Sequence, residues 1–409
     1  MQRPRVLWGL LTALLYFALS GVATHHALAQ GWQWPQPRNP PTAQQPEEPP
    51  SPIAPEAPST ITVPEEQPAN RVPIEERPVM RPPHIGVVLP LQSRAYGRFA
   101  EQVRLGILNA ANMAGYNALP VTVYSTTEDN QHILDAYLQA TREGARAIIG
   151  PLTRDAVSAV ARRAFVSVPT VALNVPDTGI SLPPNMYVFG LQIEAEAEQV
   201  ASLAFARGGR KALIVVADNP LGRRIAAAFS RQWKAKKGDI ADEFVYSTDA
   251  TELARLRELM QNTAADVIFL ALNAPRARFI RNYLGTDLPI YATSLVYASK
   301  DKLELYDLNG VRFMDMPWLL QEDHPAVMTY LQAPQDSSAL DEERFYALGI
   351  DSYRIAQALL EHGIKVPAID GVTGAIKLDK RQNFTHELTP AYFSYGTAHL
   401  LPEGTDNKP

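Results

Sequence analysis

The sequence predicts an α/β fold of two doubly wound parallel-sheet lobes with a cleft between them. Three observations carry this. Short, near-continuous apolar runs alternate with amphipathic stretches from residue 84 onward, and strands buried on both faces read this way. The rhythm restarts near residue 195, giving a second lobe. Before residue 84 the composition is foreign to a packed core: an apolar leader, then a proline-rich stretch in which roughly half of the chain's 34 prolines fall.

Ile85–Leu89 reads as the first strand. Phe99, Val103, Ile107 and Ala110 recur at helical spacing after it. Val121–Tyr124 is the second strand, and residues 133–143 read as a helix. Ala147–Gly150 is the third strand, followed by a helix marked by Val157, Val160, Ala161 and Ala164. Residues 169–173 and 187–189 complete the first run. In the second run, a helix over 195–207 stops at Gly208-Gly209. Strands then fall at 212–216, 244–246, 267–272 and 290–292. Helices fall at 221–237, around Leu253, Leu256 and Met260, and at 277–284.

Residues 1–29 have the layout of a secretory signal: Arg3 and Arg5, an apolar run from Val6 to Ala23, and Ala27-Leu28-Ala29 before Gln30. Only an uncleaved signal would tie the chain to a membrane. Residues 30–83 read as a disordered or polyproline-II tether, because proline fixes φ and removes a backbone donor and few large apolar residues offset the entropy of ordering. Fully extended, ~50 residues at ~3.1 Å each would reach on the order of 150 Å. It is a reach device, a ligand for a partner, or an inert linker. Trp32 and Trp34 stand out in this polar segment. The lobes divide as about 84–190 plus 299–360, and about 191–298 plus 361–400; residues 401–409 form a tail.

Net charge is −5, against the basic footprint of nucleic-acid binders. The chain has no cysteine, which excludes disulfides, thiolate metal sites, a cysteine nucleophile and a lipid on an N-terminal cysteine. No HExxH, Walker-type loop or Gly-x-Ser-x-Gly motif occurs. The histidines lack ligand spacing, with His324 and His399 reading as surface loops. Asp341-Glu342-Glu343 reads as solvated charge at a helix start, favoured by the helix dipole. No cofactor, metal or catalysis is expected.

Several segments resemble the type I periplasmic binding proteins, the branched-chain amino-acid binder class. Residues 85–91 resemble the first strand and its loop, and Tyr96-Gly97 with Gln102–Ala111 the first helix. Ile148-Ile149-Gly150-Pro151-Leu152-Thr153 is similar to that family's strand-loop, and residues 215–222 to the opening of the second lobe. Residues 346–353 resemble its late helix, and Gly371–Asp379 its terminal hairpin. Val88-Leu89-Pro90-Leu91 with Gly97, Gly150-Pro151-Leu152, and the ending Gly374–Asp379 with Arg381 and Glu387-Leu388 resemble the penicillin-binding-protein activator branch. That resemblance implies a periplasmic, non-catalytic regulator of peptidoglycan synthesis with a penicillin-binding protein as partner. The wider family implies the alternative, a solute-binding protein delivering an amino acid or amide to an ABC transporter. The chain departs from the activators in lacking the lipid-bearing cysteine and the helical-repeat N-terminal domain.

Ligand sites in doubly wound sheets lie beyond the carboxyl ends of strands. The cleft candidates are therefore Gln92, Ser93 and Tyr96, then Leu152 and Thr153, Asn174, Asp218 and Asn219, Asn273 and Tyr297. Thr153 and Ser93 could bind a carboxylate at a helix end, and Asp218 an amino group. Thr153, Asn174 and Asp218-Asn219-Pro220 could equally cap helices or turns. Arg94 and Arg98 beside Tyr96 could meet a ligand or partner. Arg223, Arg224, Arg231, Lys234, Lys236 and Lys237 form a basic helix face, either solvated or facing an acidic partner.

Overall fold

A computed structural model describes residues 81–404 apart from Asn117, Ala164 and 334–338. The signal, all but three residues of the tether, and the end of the tail lie outside the described residues.

The first lobe runs β1 (His84–Leu89), α1 (Gly97–Met113), β2 (Val121–Ser125), α2 (Asn130–Arg142), β3 (Ala145–Ile149), α3 (Arg154–Arg163), β4 (Thr170–Ala172) and β5 (Met186–Val188). Its strands pair in parallel in the order β2-β1-β3-β4-β5. Side chains alternate across this sheet. Ile85, Val87, Leu89, Ala147 and Ile149 belong to the core cluster that contains α1, whereas Val88, Ile148, Ala172 and Val188 meet α2 and α3. Both faces are dry, which is why the strands read as continuous apolar runs.

The chain then crosses to α4 (Ile193–Ala206), β6 (Lys211–Val216), α5 (Pro220–Ala235), β7 (Asp239–Val245), α6 (Ala250–Asn262), β8 (Val267–Ala271), α7 (Ala274–Arg281), β9 (Ile290–Ala292), a 3-10 turn at Ser294–Val296, α8 (Lys302–Tyr306) and β10 (Val311–Asp315). Trp233 centres this core. It is fully buried, stacks 5.4 Å from Phe229 and donates Nε1–H to the Asp239 carbonyl at 2.9 Å. Gly238 lets the indole close in, since a Cβ there would fall 2.4 Å from Nε1.

After β10 come α9 (Pro317–Leu320), α10 (Pro325–Met328) and α11 (Leu340–His362). A small antiparallel sheet follows, β11 (Ile369–Gly371), β12 (Gly374–Leu378) and β13 (Phe384–Glu387), and then β14 (Thr389–Ser394) and β15 (Thr397–Leu400). The second sheet has seven strands in the order β15-β14-β10-β9-β8-β6-β7.

The expected lobe boundaries move in two places. Residues 299–360 do not all return to the first lobe: β10 pairs in parallel with β9 and antiparallel with β14, so Val311–Asp315 belongs to the second sheet. Residues 361–400 do not all join the second lobe. The β11–β13 sheet hangs on the first, through the bridge Val188–Asn383 and the Gln382 amide donating to the Met186 carbonyl at 2.8 Å. The last crossing is therefore at Leu388. Helix α11 belongs to the first lobe and lies along α1, where Gly106 and Gly349 bring the two backbones together.

His399 lies in strand β15 rather than a loop, and His324 caps α10 by accepting from the Ala326 N–H at 3.3 Å.

Candidate functional site

The candidates are distributed over the loops at the carboxyl ends of both sheets, and most engage their own lobe. The Ser93 hydroxyl bonds the Glu128 carboxylate and accepts from the Ala95 and Tyr96 N–H groups at 3.2 and 3.1 Å. The Gln92 amide donates to the Ser125 hydroxyl at 3.3 Å. Tyr96 stands at the start of α1, 46% exposed. Thr153 accepts from the Ala156 N–H at 3.4 Å, capping α3. Leu152 is buried, and its carbonyl accepts from Asn174 at 3.3 Å, while Asn174 Oδ1 accepts from the Val175 N–H at 2.9 Å.

In the second lobe Asn219 caps α5 through the Gly222 N–H at 2.8 Å, and Asp218 pairs with Arg223. Asn273 precedes α7 with its side chain exposed and making no cap bond. Tyr297 is buried, its ring 5.4 Å from Phe313 and 5.7 Å from Phe393. Burial, with the Asp315 charge beside it, pushes its hydroxyl up to about 12.

Two arginines on the basic face of α5 brace the helix, while Lys234, Lys236 and Lys237 are exposed. Arg224 pairs with Glu194 at 2.8 Å and Arg231 with Glu198 at 2.9 Å, tying α5 to α4. These arginines are more than half exposed. Replacing both with alanine is therefore expected to lower unfolding free energy by less than about 2 kcal/mol, at most about 1 for each pair, measured by urea denaturation. A larger loss would mean that the pairs organise the two helices.

Two of the three acids at the start of α11 are not the solvated charge the sequence suggests. Glu342 and Glu343 have side chains 17% exposed, near Arg98 at 3.8 Å and Lys300 at 3.6 Å. The start of α11 faces α1 on one side and the second lobe on the other, so Glu342 and Glu343 meet cations, while Asp341 stays 60% exposed.

Between them Arg344 reaches into the second lobe. Its guanidinium donates to Asp315 at 2.6 Å, to Asp341 at 2.7 Å and to the carbonyls of Ser294 and Tyr297 at 3.3 and 2.8 Å. Burial works against its charge, but the facing carboxylates hold its pKa above the ordinary arginine value. Glu196, in the first turn of α4, accepts from the Ser294 N–H and, at 3.0 Å, from its hydroxyl. Desolvation, reinforced by the Asp315 charge, outweighs these donors and the Arg344 charge and pushes the Glu196 carboxyl up to about 8. Sequence reading missed this cluster. Its members come from residues 196, 294, 315, 341 and 344, and apart from Asp341 and Arg344, one turn apart on α11, no local spacing links them.

A groove of about 830 Å³, lined in part by Gly190 and Gln192 after β5, lies between α4 and β13, where the Gln199 amide brackets the sheet edge. It donates to the His386 carbonyl at 3.0 Å and accepts from the Leu388 N–H at 3.0 Å. Among the described residues no group of His, Asp and Glu is arranged to hold a metal ion, and no helix is long and apolar enough to cross a membrane.

Comparison with known proteins gives a consistent set. The penicillin-binding protein activator LpoA of Haemophilus influenzae is 25% identical over 334 residues, covering 78% of this chain and 55% of that protein. The LpoA of Vibrio vulnificus is 24% identical over 343 residues, again covering 55% of the relative. The chain thus spans about half the length of these curated relatives. Among solved structures, a putative branched-chain amino acid ABC transporter from Chromobacterium violaceum superposes with a TM-score of 0.67 at 34% identity, covering 76% of this chain and all of that one. The LpoA C-domain from H. influenzae, described as a regulator of PBP1A, gives a TM-score of 0.66 at 23% identity, covering 78% of this chain and all of the domain. The two-lobed fold is therefore that of the periplasmic-binding-protein type. The family model described as "LppC putative lipoprotein" matches residues 55–396, and the chain belongs to that family.

Proposed function

We propose that this chain is a non-catalytic regulator outside the cytoplasmic membrane that binds and stimulates a penicillin-binding protein, a peptidoglycan synthase. The observation that carries this reading is the match to the H. influenzae activator over 334 residues. The matched region is the one whose counterpart there is called a regulator of PBP1A. The strand-end loops support it. A solute receptor needs free, converging polar groups, whereas Ser93, Thr153, Asn174 and Asn219 spend theirs on loops and helix ends. Export rests on the signal-like residues 1–29.

The test is reconstitution of the full chain with a purified bifunctional penicillin-binding protein from the same cell. A faster rate of glycan polymerisation or crosslinking, together with a crosslinked complex, is the expected result. No rate change and no complex would overturn the reading.

The 34% identity to the C. violaceum protein favours a second reading, a receptor for a small amino acid or amide. It predicts that one member of an amino-acid panel raises the melting temperature, because a ligand at 100 times its Kd stabilises the native state by about 2.7 kcal/mol. A flat panel removes this reading.

A further inference from the structure

We propose that Arg344 is an interlobe latch, and that protonation of Glu196 sets how firmly it holds. Helix α11 packs on α1 in the first lobe, yet Arg344 binds only second-lobe groups apart from its neighbour Asp341: Asp315 at the end of β10 and the carbonyls of Ser294 and Tyr297. The Arg344–Asp315 pair is nearly dry, with side chains 7% and 2% exposed. Glu196 grips the same turn from the other side, through the N–H and hydroxyl of Ser294. The turn is thus held between α4 and α11, beside Asp315, where the chain leaves the second sheet for the first lobe.

The charges around Glu196 define its response. On its own helix, Glu194 and Glu198 are turned to Arg224 and Arg231 of α5. Asp315 faces it from β10, and Arg344 with Asp341 from α11. His386 of β13 bonds the Thr373 carbonyl at 3.0 Å, and burial lowers its pKa below the ordinary histidine value. One cation therefore serves three carboxylates. With Glu196 protonated, the closed arrangement buries less uncompensated charge. Ionisation makes Glu196 and Asp315 repel, and water reaching the turn on opening relieves both. The closed form binds the proton more tightly than the open one. Its advantage is complete below the ordinary glutamate value of 4.5 and is lost as pH rises through about 8.

The chain has no native cysteine, so the full protein carrying Arg163→Cys and Glu258→Cys, exposed positions on α3 and α6, reports lobe separation by spin-label distance measurement. The open-to-closed ratio is expected to climb with pH between about 5 and 8, by up to about tenfold per pH unit. Glu196→Gln should hold the low-pH distribution throughout, and Glu194→Gln should leave the response intact. A distribution constant from pH 5.5 to 8.5, or a full response retained in Glu196→Gln, overturns the proposal. Should Glu196→Gln fail to fold, Ser294→Ala replaces it. Removing a donor to the ionised form should move the midpoint to higher pH, and an unmoved midpoint overturns the proposal equally.

Discussion

Replacing Gly349 with alanine is expected to lower unfolding free energy by about 3 kcal/mol, and the same change at Gly106 by a similar amount. Helices α1 and α11 meet through their backbones at these two residues. A Cβ on Gly349 would fall 2.2 Å from the Val103 carbonyl oxygen, and one on Gly106 would fall 2.0 Å from that of Tyr346. Both obstacles are main chain, so no rotamer change removes them and the helices must separate. Separation loosens Val103, Ile107, Tyr346 and Ile350, all buried. Alanine does favour a helix over glycine by about 1 kcal/mol, so the steric term has to exceed that to be seen, and contacts near 2 Å against fixed atoms do. The urea midpoint should fall for each variant with an unchanged slope. A midpoint at or above the parent's would mean that the helices are not in backbone contact.

Those two glycines were not singled out in the sequence, although the helices carrying them were. Hydrophobic period finds elements, because it depends on a face repeated over many residues. Ile85–Leu89, Ala212–Val216 and Val267–Ala271 were legible for this reason, being buried on both sides. Crossovers depend on single pairings. Val311–Asp315 mixes Arg312 and Asp315 with Val311, Phe313 and Met314, and nothing local says that it joins β9 and β14 rather than the first lobe.

The site was less legible for a chemical reason. Ser, Thr, Asn and Asp at strand-end loops suit ligands and helix ends equally, since both uses need a short polar side chain beside free N–H groups. Here Thr153, Asn174 and Asn219 bond local backbone. Arg344 was hidden differently. It follows three acids that read as solvated charge, and only the fold brings Asp315 and Ser294 to it.

Asp351→Ala is expected to cost about 3–5 kcal/mol, the range for breaking a buried pair from one side. The Asp351 side chain is fully buried and receives four donors: the Val372 N–H at 3.2 Å, the Thr373 N–H and hydroxyl at 2.8 Å each, and Arg354 at 3.0 Å. These fix the two-residue turn between β11 and β12 to α11, and so the small sheet to the first lobe. The partners would not suffer equally. Arg354 is 25% exposed and can turn to water, whereas Val372 and Thr373 are fully buried and their N–H groups would stay orphaned. Most of the cost should therefore come from the turn. Thr373→Val removes one donor and leaves the backbone bonds, and should cost only about 1–1.5 kcal/mol. Amide hydrogen exchange separates the two cases. Protection at residues 372 and 373 should collapse in Asp351→Ala and survive in Thr373→Val. A loss below about 1 kcal/mol in Asp351→Ala, with both amides still protected, would show that packing of Ile376 and Phe384 holds the small sheet without the carboxylate.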